Sequence, residues 1–357
     1  MTTNIKLNEL MVPTFRWLKV NDFQTELEFS TEDVYDNLNI VAPENIVNKL
    51  EFYEATQENF GVNKGLVNFI EKNFNSGTKI SIPDNAKLTE PIVLKYNSGA
   101  NTKVLQELNI IELGKNSQGV IVIDYTSEDE STLFHKGVTK VYCKENSSVK
   151  IIKIQNLNKA SSSFDSNVAY LDRDAKCSWI SVELGAKTAI SNYENLLNGE
   201  NSEAILNSIY FGDGNSTTDV SYTMTHIGRR TSSEIQTYGV LTDEAKKTFR
   251  GNLDFKKGAT KAKGREEEFV LILNPKVKSD SIPTLLCEED DVEGQHAASV
   301  GQIDENKLFY LMSRGLTEGE AKKLIIEASF GPVLAEIPLE EIRVRIEKEI
   351  HRRVING

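Results

Sequence analysis

The sequence predicts a mainly β protein, with a long body of short strands wound as a coil and helical regions at both ends. Three observations carry this. From about Gly77 to Leu286, short stretches alternate apolar and polar residues and no good helical pattern occurs. Small polar corners that look alike precede four of these stretches: KNSQG, ENSSV, DAKCS and ENSEA, starting at Lys115, Glu145, Asp174 and Glu200. The third observation is a switch to helical spacing before and after this body.

Taken in order, residues 1–76 open with an extended, Pro-containing segment. Two helical patterns follow. PENIVNKLEFYEA places Ile46, Val47, Leu50 and Tyr53 on one face, and LVNFIEKNF places Leu66, Phe69, Ile70 and Phe74 on another. Residues 77–303 form the β body. VIVIDY, VKIIKI, SWISVEL and AILNSIYF read as strands. A loose repeat of about 30 residues favours a solenoid, in which each strand stacks on its equivalent one turn earlier. An eight-stranded sandwich or jelly roll is the competing arrangement. Residues 304–357 are helical. Asp304 caps ENKLFYLMSRG, Thr317 and Glu320 make a capping box, and Gly331-Pro332 marks the end of that helix. A last helix starts at Pro338 with Leu339, Ile342, Ile346 and Ile350 as its apolar stripe.

Composition narrows the function. The formal charge of −12, from 53 acidic against 41 basic residues, argues against a general nucleic-acid binder. No apolar run approaches the roughly 20 residues of a membrane helix, so no membrane is expected as partner. The first twenty residues lack an apolar signal segment, and three widely spaced cysteines make no disulfide framework. Both point to the reducing cytoplasm. No phosphate-binding loop, G-x-S-x-G, H-E-x-x-H or C-x-x-C occurs. The chain is therefore expected to bind no nucleotide and to hydrolyse no ATP by itself. GDGNST reads as a corner, and His135 and His226 read as strand or corner residues.

One stretch concentrates chemistry: CEEDDVEGQHAASVG, from Cys287 to Gly301. As a calcium loop it fails. With Glu289 first, Gly294 falls at the required sixth position, but Val300 stands where a bidentate Glu should be. Cys287 and His296 are suitable transition-metal ligands, a thiolate and an imidazole. Two ligands are too few to close a tetrahedral site, so a partner would complete it. The plainer alternative is a charged turn between the last strand and the first C-terminal helix.

The run NPKVKSDSIP through LLCEEDDVEGQHAASVGQIDENKLFYLMSRGLTEGEAKKLI resembles the SufB/SufD family of iron–sulfur cluster assembly proteins. THIGRRTSSEIQTYGVLTDEAKKTFRGNLDFKKGA resembles the core shared by that family. The resemblance is strongest from about Ser221 to Glu327. It implies a right-handed parallel β-helix with helical regions before and after. It also implies a complex with a SufB-like paralogue, joined through the last strands, and with a SufC-type ATPase docked on C-terminal helices. Without the paralogue, a homodimer is the corresponding expectation. SufB-type chains carry E-H-E-A-T-x-S-K-I where this chain has Gly294 to Gln302, and a cysteine where it has Glu266-Glu267-Glu268. Both differences imply the SufD branch. His296 matches the interface histidine of that branch, which implies contact with iron or a nascent, transient iron–sulfur cluster. Some relatives have a cysteine two residues before this histidine; here Gly294 stands there. Cys287 thus remains a metal candidate on chemistry alone.

Two other classes compete. One is a structural β-helix adaptor with no ligand of its own. The other is a β-helix enzyme acting on polysaccharide, which would normally be exported. The C-terminal helices are expected to serve mainly as a docking surface. Removing Leu316 to Gly357 should then leave a soluble, folded body.

Overall fold

The computed structural model describes residues 2–56 and 58–356. Two nine-stranded sheets face each other across a long interior, and the chain passes alternately from one to the other. The first sheet stacks Ile92–Ser98, Gln118–Ser127, Ser148–Asn156, Lys176–Glu183, Glu203–Gly212, Ser232–Leu241, Ala262–Ile272 and Val292–Gln302, all parallel. The second stacks Ser76–Ile82, Val104–Leu113, Phe134–Cys143, Ser162–Leu171, Thr188–Leu197, Thr217–His226, Lys246–Phe255 and Lys278–Cys287, also parallel. The molecule is a parallel β-solenoid of about eight turns, so the solenoid reading holds against the sandwich.

The corners explain the repeat. Asn85, Asn116, Asn146, Asp174 and Asn201 all adopt the left-handed conformation, with φ between 56° and 63°. Asn and Asp tolerate it better than most side chains. Each corner also bonds to its neighbour. Asn116 Nδ2 donates to Asn85 Oδ1 at 3.0 Å, Asn146 Nδ2 to Asn116 Oδ1 at 2.8 Å, and Asn201 Nδ2 to Asp174 Oδ1 at 2.8 Å. A polar ladder thus pins the turns in register.

The four strands read from sequence are neighbours in the first sheet. Each turn holds a second strand as well, in the second sheet. Those strands hide their periodicity because their interior positions are often polar: His135 and Thr139 in one, Asp165 and Asn167 in the next.

At its first end the coil finishes on two short antiparallel strands from its own chain. Leu38–Val41 and Val47–Lys49 add antiparallel strands to the two sheets. The second of these corrects an expectation, because residues 43–55 form no helix. Ile46 and Val47 instead pack on the interior cluster, with Val47 opposite Ile80, and Leu50 N donates to Gly77 O at 2.9 Å. A β-branched pair facing an open sheet edge gains more from pairing there than from its weak helical pattern. The other expected helix forms. Helix α1, Lys64–Asn73, is capped by Asn63, whose side chain accepts from Leu66 N. It covers the outer face of the second sheet through Leu66, Val67 and Ile70.

Three helices follow the coil: α2 (Glu305–Ser313), α3 (Glu318–Leu334) and α4 (Glu340–Asn356). Asp304 caps α2, and the Thr317–Glu320 capping box forms as expected. Pro332 does not end α3, which runs on to Leu334. Its final turn is held because Val333 and Leu334 are buried on the coil. The stripe Ile342, Ile346 and Ile350 of α4 packs beside them. Both helices lie flat on the outer face of the first sheet, over Val122, Ile152, Ile180, Val182, Ile209 and Val240. They therefore cover a side of the coil and do not close its last turn. No helix among the described residues is long and apolar enough to cross a membrane.

Candidate functional site at the open end

The last turn consists of Lys278–Cys287, a corner at 288–291 and Val292–Gln302. Each of its strands is paired on one side only. Every residue from 293 to 302 is exposed. Such a row of unpaired N–H and C=O groups is a template for another strand.

The acidic run proves to be the corner itself. Glu288 N donates to Phe255 O at 2.8 Å, and Lys256 Nζ lies 3.2 Å from Glu288 Oε1. Gly258 N donates to Glu289 Oε2 at 2.9 Å, and this backbone bond holds the exposed Glu289 carboxyl below its ordinary range. The Cys287 thiol is exposed and donates to Glu289 O at 3.1 Å. These four carboxylates are a solvated turn seated on the previous corner.

Register places the two metal candidates. Cys287 lies above Phe255 and His296 above Glu266. Phe255 and Glu266 both face the interior, and residues in register on a parallel ladder share a face. Cys287 and His296 thus belong to the interior-facing rows of the terminal turn. They are offset along it: a side chain built on Gly294 would meet Leu285 Cδ1 at 2.5 Å. Leu285 therefore stands opposite Gly294, which sets Cys287 closer to the corner and His296 farther from it. Neither residue joins a cluster of three ligand side chains among the described residues.

One turn below the opening, two carboxylates enter the interior. Glu268 accepts from Lys247 Nζ at 2.7 Å, from Tyr210 OH at 2.9 Å and from the Ser281 hydroxyl. Glu266 Oε2 is buried and has no hydrogen-bond partner. Burial, and secondly the charge of Glu268, push the Glu266 carboxyl up to about 8.

The interior holds one more constellation that sequence reasoning missed. Glu107, His135 and Asp165 bring their ligand atoms within 4.8 Å of one another, fully buried in mid-coil. Lys153 Nζ already occupies their midst, 2.8 Å from Asp165 Oδ1 and 3.9 Å from Glu107 Oε1. His135 Nδ1 lies 2.8 Å from Ser163 Oγ and Nε2 lies 3.4 Å from Glu107 Oε1. Burial raises the Glu107 pKa, but the His135 bond and the Lys153 charge outweigh it and leave it lowered. The group is a satisfied ionic network. Its members come from successive turns, so only the register could reveal them. His226 is a strand residue as expected. Its nitrogens meet Thr231 Oγ1 at 2.7 Å and Ser233 Oγ at 2.8 Å, and burial lowers its pKa to about 4. GDGNST is likewise a corner, with Gly214 at φ +58°.

Comparison with known proteins agrees with this architecture. Residues 95–329 match the family model described as SUF system FeS cluster assembly, SufBD core domain. The iron–sulfur cluster assembly protein SufD of Bacillus subtilis is 30% identical over 78% of this chain and 64% of its own length. A SufBD family protein of Staphylococcus epidermidis is 26% identical over 75% of this chain and 58% of its own. One from Mycobacterium tuberculosis H37Rv is 29% identical over 59% of this chain and 25% of its own. The chain thus spans less than two thirds of the length of these relatives. With the family model covering most of the coil and the final helices lying on its flank, the chain belongs to the SufB/SufD family of iron–sulfur cluster assembly proteins.

Proposed function

We propose that the chain is a SufD-type subunit of a cytoplasmic scaffold on which iron–sulfur clusters are built, without enzymatic activity of its own. The observation that carries this reading is the open last turn, whose long strands Lys278–Cys287 and Val292–Gln302 are each paired on one side only. A SufB-like paralogue with the same fold would continue both sheets by edge-to-edge pairing. His296 would then face the join and contact iron or a nascent cluster, with the partner supplying the remaining ligands. Cys287, bonded to its own corner, is the weaker ligand.

A SufC-type ATPase would dock on the C-terminal helices. Helix α2 supports this, because it buries no residue and presents Phe309, Tyr310 and Met312 to solvent. An exposed aromatic helix face fits helix-in-groove recognition.

The test is anaerobic co-expression with SufB-like and SufC-type partners, followed by co-purification and iron and sulfide analysis. Ala298→Lys places a charge on the free strand and should abolish capture of the SufB-like chain while circular dichroism stays unchanged. His296→Ala should leave the complex assembled and lower its cluster content at least several-fold. Normal capture by Ala298→Lys would exclude pairing through this edge, and normal cluster content in His296→Ala would exclude the ligand role.

A further inference from the structure

Glu266 and Glu268 stand two residues apart on one strand and both face the interior, yet only Glu268 is matched by a cation and hydroxyl donors. Glu266 is 1% exposed, and its Oε2 has no partner. Its carboxylate reaches across to Gly251, where a Cβ would lie 2.1 Å from Oε1. Only glycine leaves it room. A buried carboxyl is paired, bound to a metal or held protonated, and a metal entering here would displace the proton. Among the described residues no Lys or Arg is ion-paired with Glu266, in contrast to Lys247 at Glu268. The residue directly above it in register is His296. Adjacent strands lie about 4.8 Å apart, and residues in register point to the same side.

We infer that Glu266 and His296 together form a divalent transition-metal site at the mouth of the coil, taking iron(II) in the assembly setting. An imidazole and a carboxylate suit Fe(II), Mn(II) and Co(II), and the open end leaves coordination positions for water or a partner side chain. The site deepens the function proposed above and rests on its reading of His296 as a ligand. Cys287, toward the corner and above Phe255, stands outside it.

The test is anaerobic titration of the full chain with Co(II), followed by calorimetry and by visible absorption. The expected result is one Co(II) per chain, with at least tenfold weaker binding in both Glu266→Gln and His296→Ala. Glu266→Asp, which keeps the charge on a shorter arm, should fall between wild type and Glu266→Gln. Circular dichroism checks that each variant is folded. Glu288→Gln, on the exposed corner, should bind as wild type. Wild-type binding by Glu266→Gln, with loss in His296→Ala, would overturn the site and leave the histidine reading standing. Wild-type binding by His296→Ala would overturn both. No binding by the wild-type chain at millimolar Co(II), or equal weakening by Glu288→Gln, would also overturn the site.

Discussion

The two ends of the coil are finished differently. At the first end, Leu38–Val41 and Val47–Lys49 pair antiparallel with the opening strands, and Ile46 and Tyr35 join the interior cluster. At the last end nothing pairs with Lys278–Cys287 or Val292–Gln302 on their outer sides. The contrast extends inward. Lys153 in mid-coil sits between matching carboxylates, whereas Glu266 near the opening has no cation beside it and its Oε2 has no partner. A solenoid must hide its terminal edges or use them. This chain ends one side on antiparallel strands of four and three residues and the other on strands of ten and eleven. Short edge strands offer little to pair with, so the last end is the better template for strand pairing.

The contrast sharpens most on removing residues 316–357, which carry α3 and α4. That deletion would bare Val122, Ile152, Ile180, Val182, Ile209 and Val240 along a whole sheet face. Exposed apolar patches of this extent drive association. The expected outcome is insoluble protein, contrary to the soluble body anticipated from the sequence; a monomeric, folded truncation in size-exclusion chromatography would overturn this account of the helices.

A smaller effect separates the middle from the opening. Lys153→Met should destabilise the fold by about 3–5 kcal/mol, because it strands buried carboxylates. His296→Ala, at the exposed end, should stay within about 0.5 kcal/mol. Urea unfolding of the two variants measures the difference, and equal losses would erase the distinction between a sealed middle and an unfinished end.

The last contrast is in pH dependence. Burial, and secondly the charge of Asp165, push the Glu183 carboxyl up to about 8. The folded chain therefore holds a proton that the unfolded chain has released, from near the ordinary carboxyl value of 4.5 up to about 8. Stability falls as pH rises through that window and the loss is complete above it. Glu183→Gln should show a smaller drop in Tm between pH 5 and pH 8 than wild type. An unchanged drop would mean that Glu183 is not its source.

Much of this was legible in the residues because it is local. Left-handed corners need Asn or Asp, and they recur at Asn116, Asn146, Asp174 and Asn201. Capping chemistry is equally local, so Asp304 and Thr317 marked true helix starts. His296 stood out through its neighbours in the chain. What failed depended on distant surroundings. Residues 43–55 looked helical until a sheet edge offered Ile46 and Val47 a better burial. Pro332 looked like a stop until the sheet face held the turn beyond it.

The sequence alone thus determined the β class, the corner repeat and the helix caps, since each follows from conformational preference or bonding within a few residues, and it nominated His296 through a family resemblance. Only the tertiary structure decided which end is open, where α3 and α4 lie, and which side chains meet. Glu107, His135, Lys153 and Asp165 converge, and Glu266 lies beneath His296, because parallel stacking brings together residues roughly 30 apart in the chain. No pattern in the linear sequence specifies that register; it is fixed by the summed hydrogen bonds and packing of the coil.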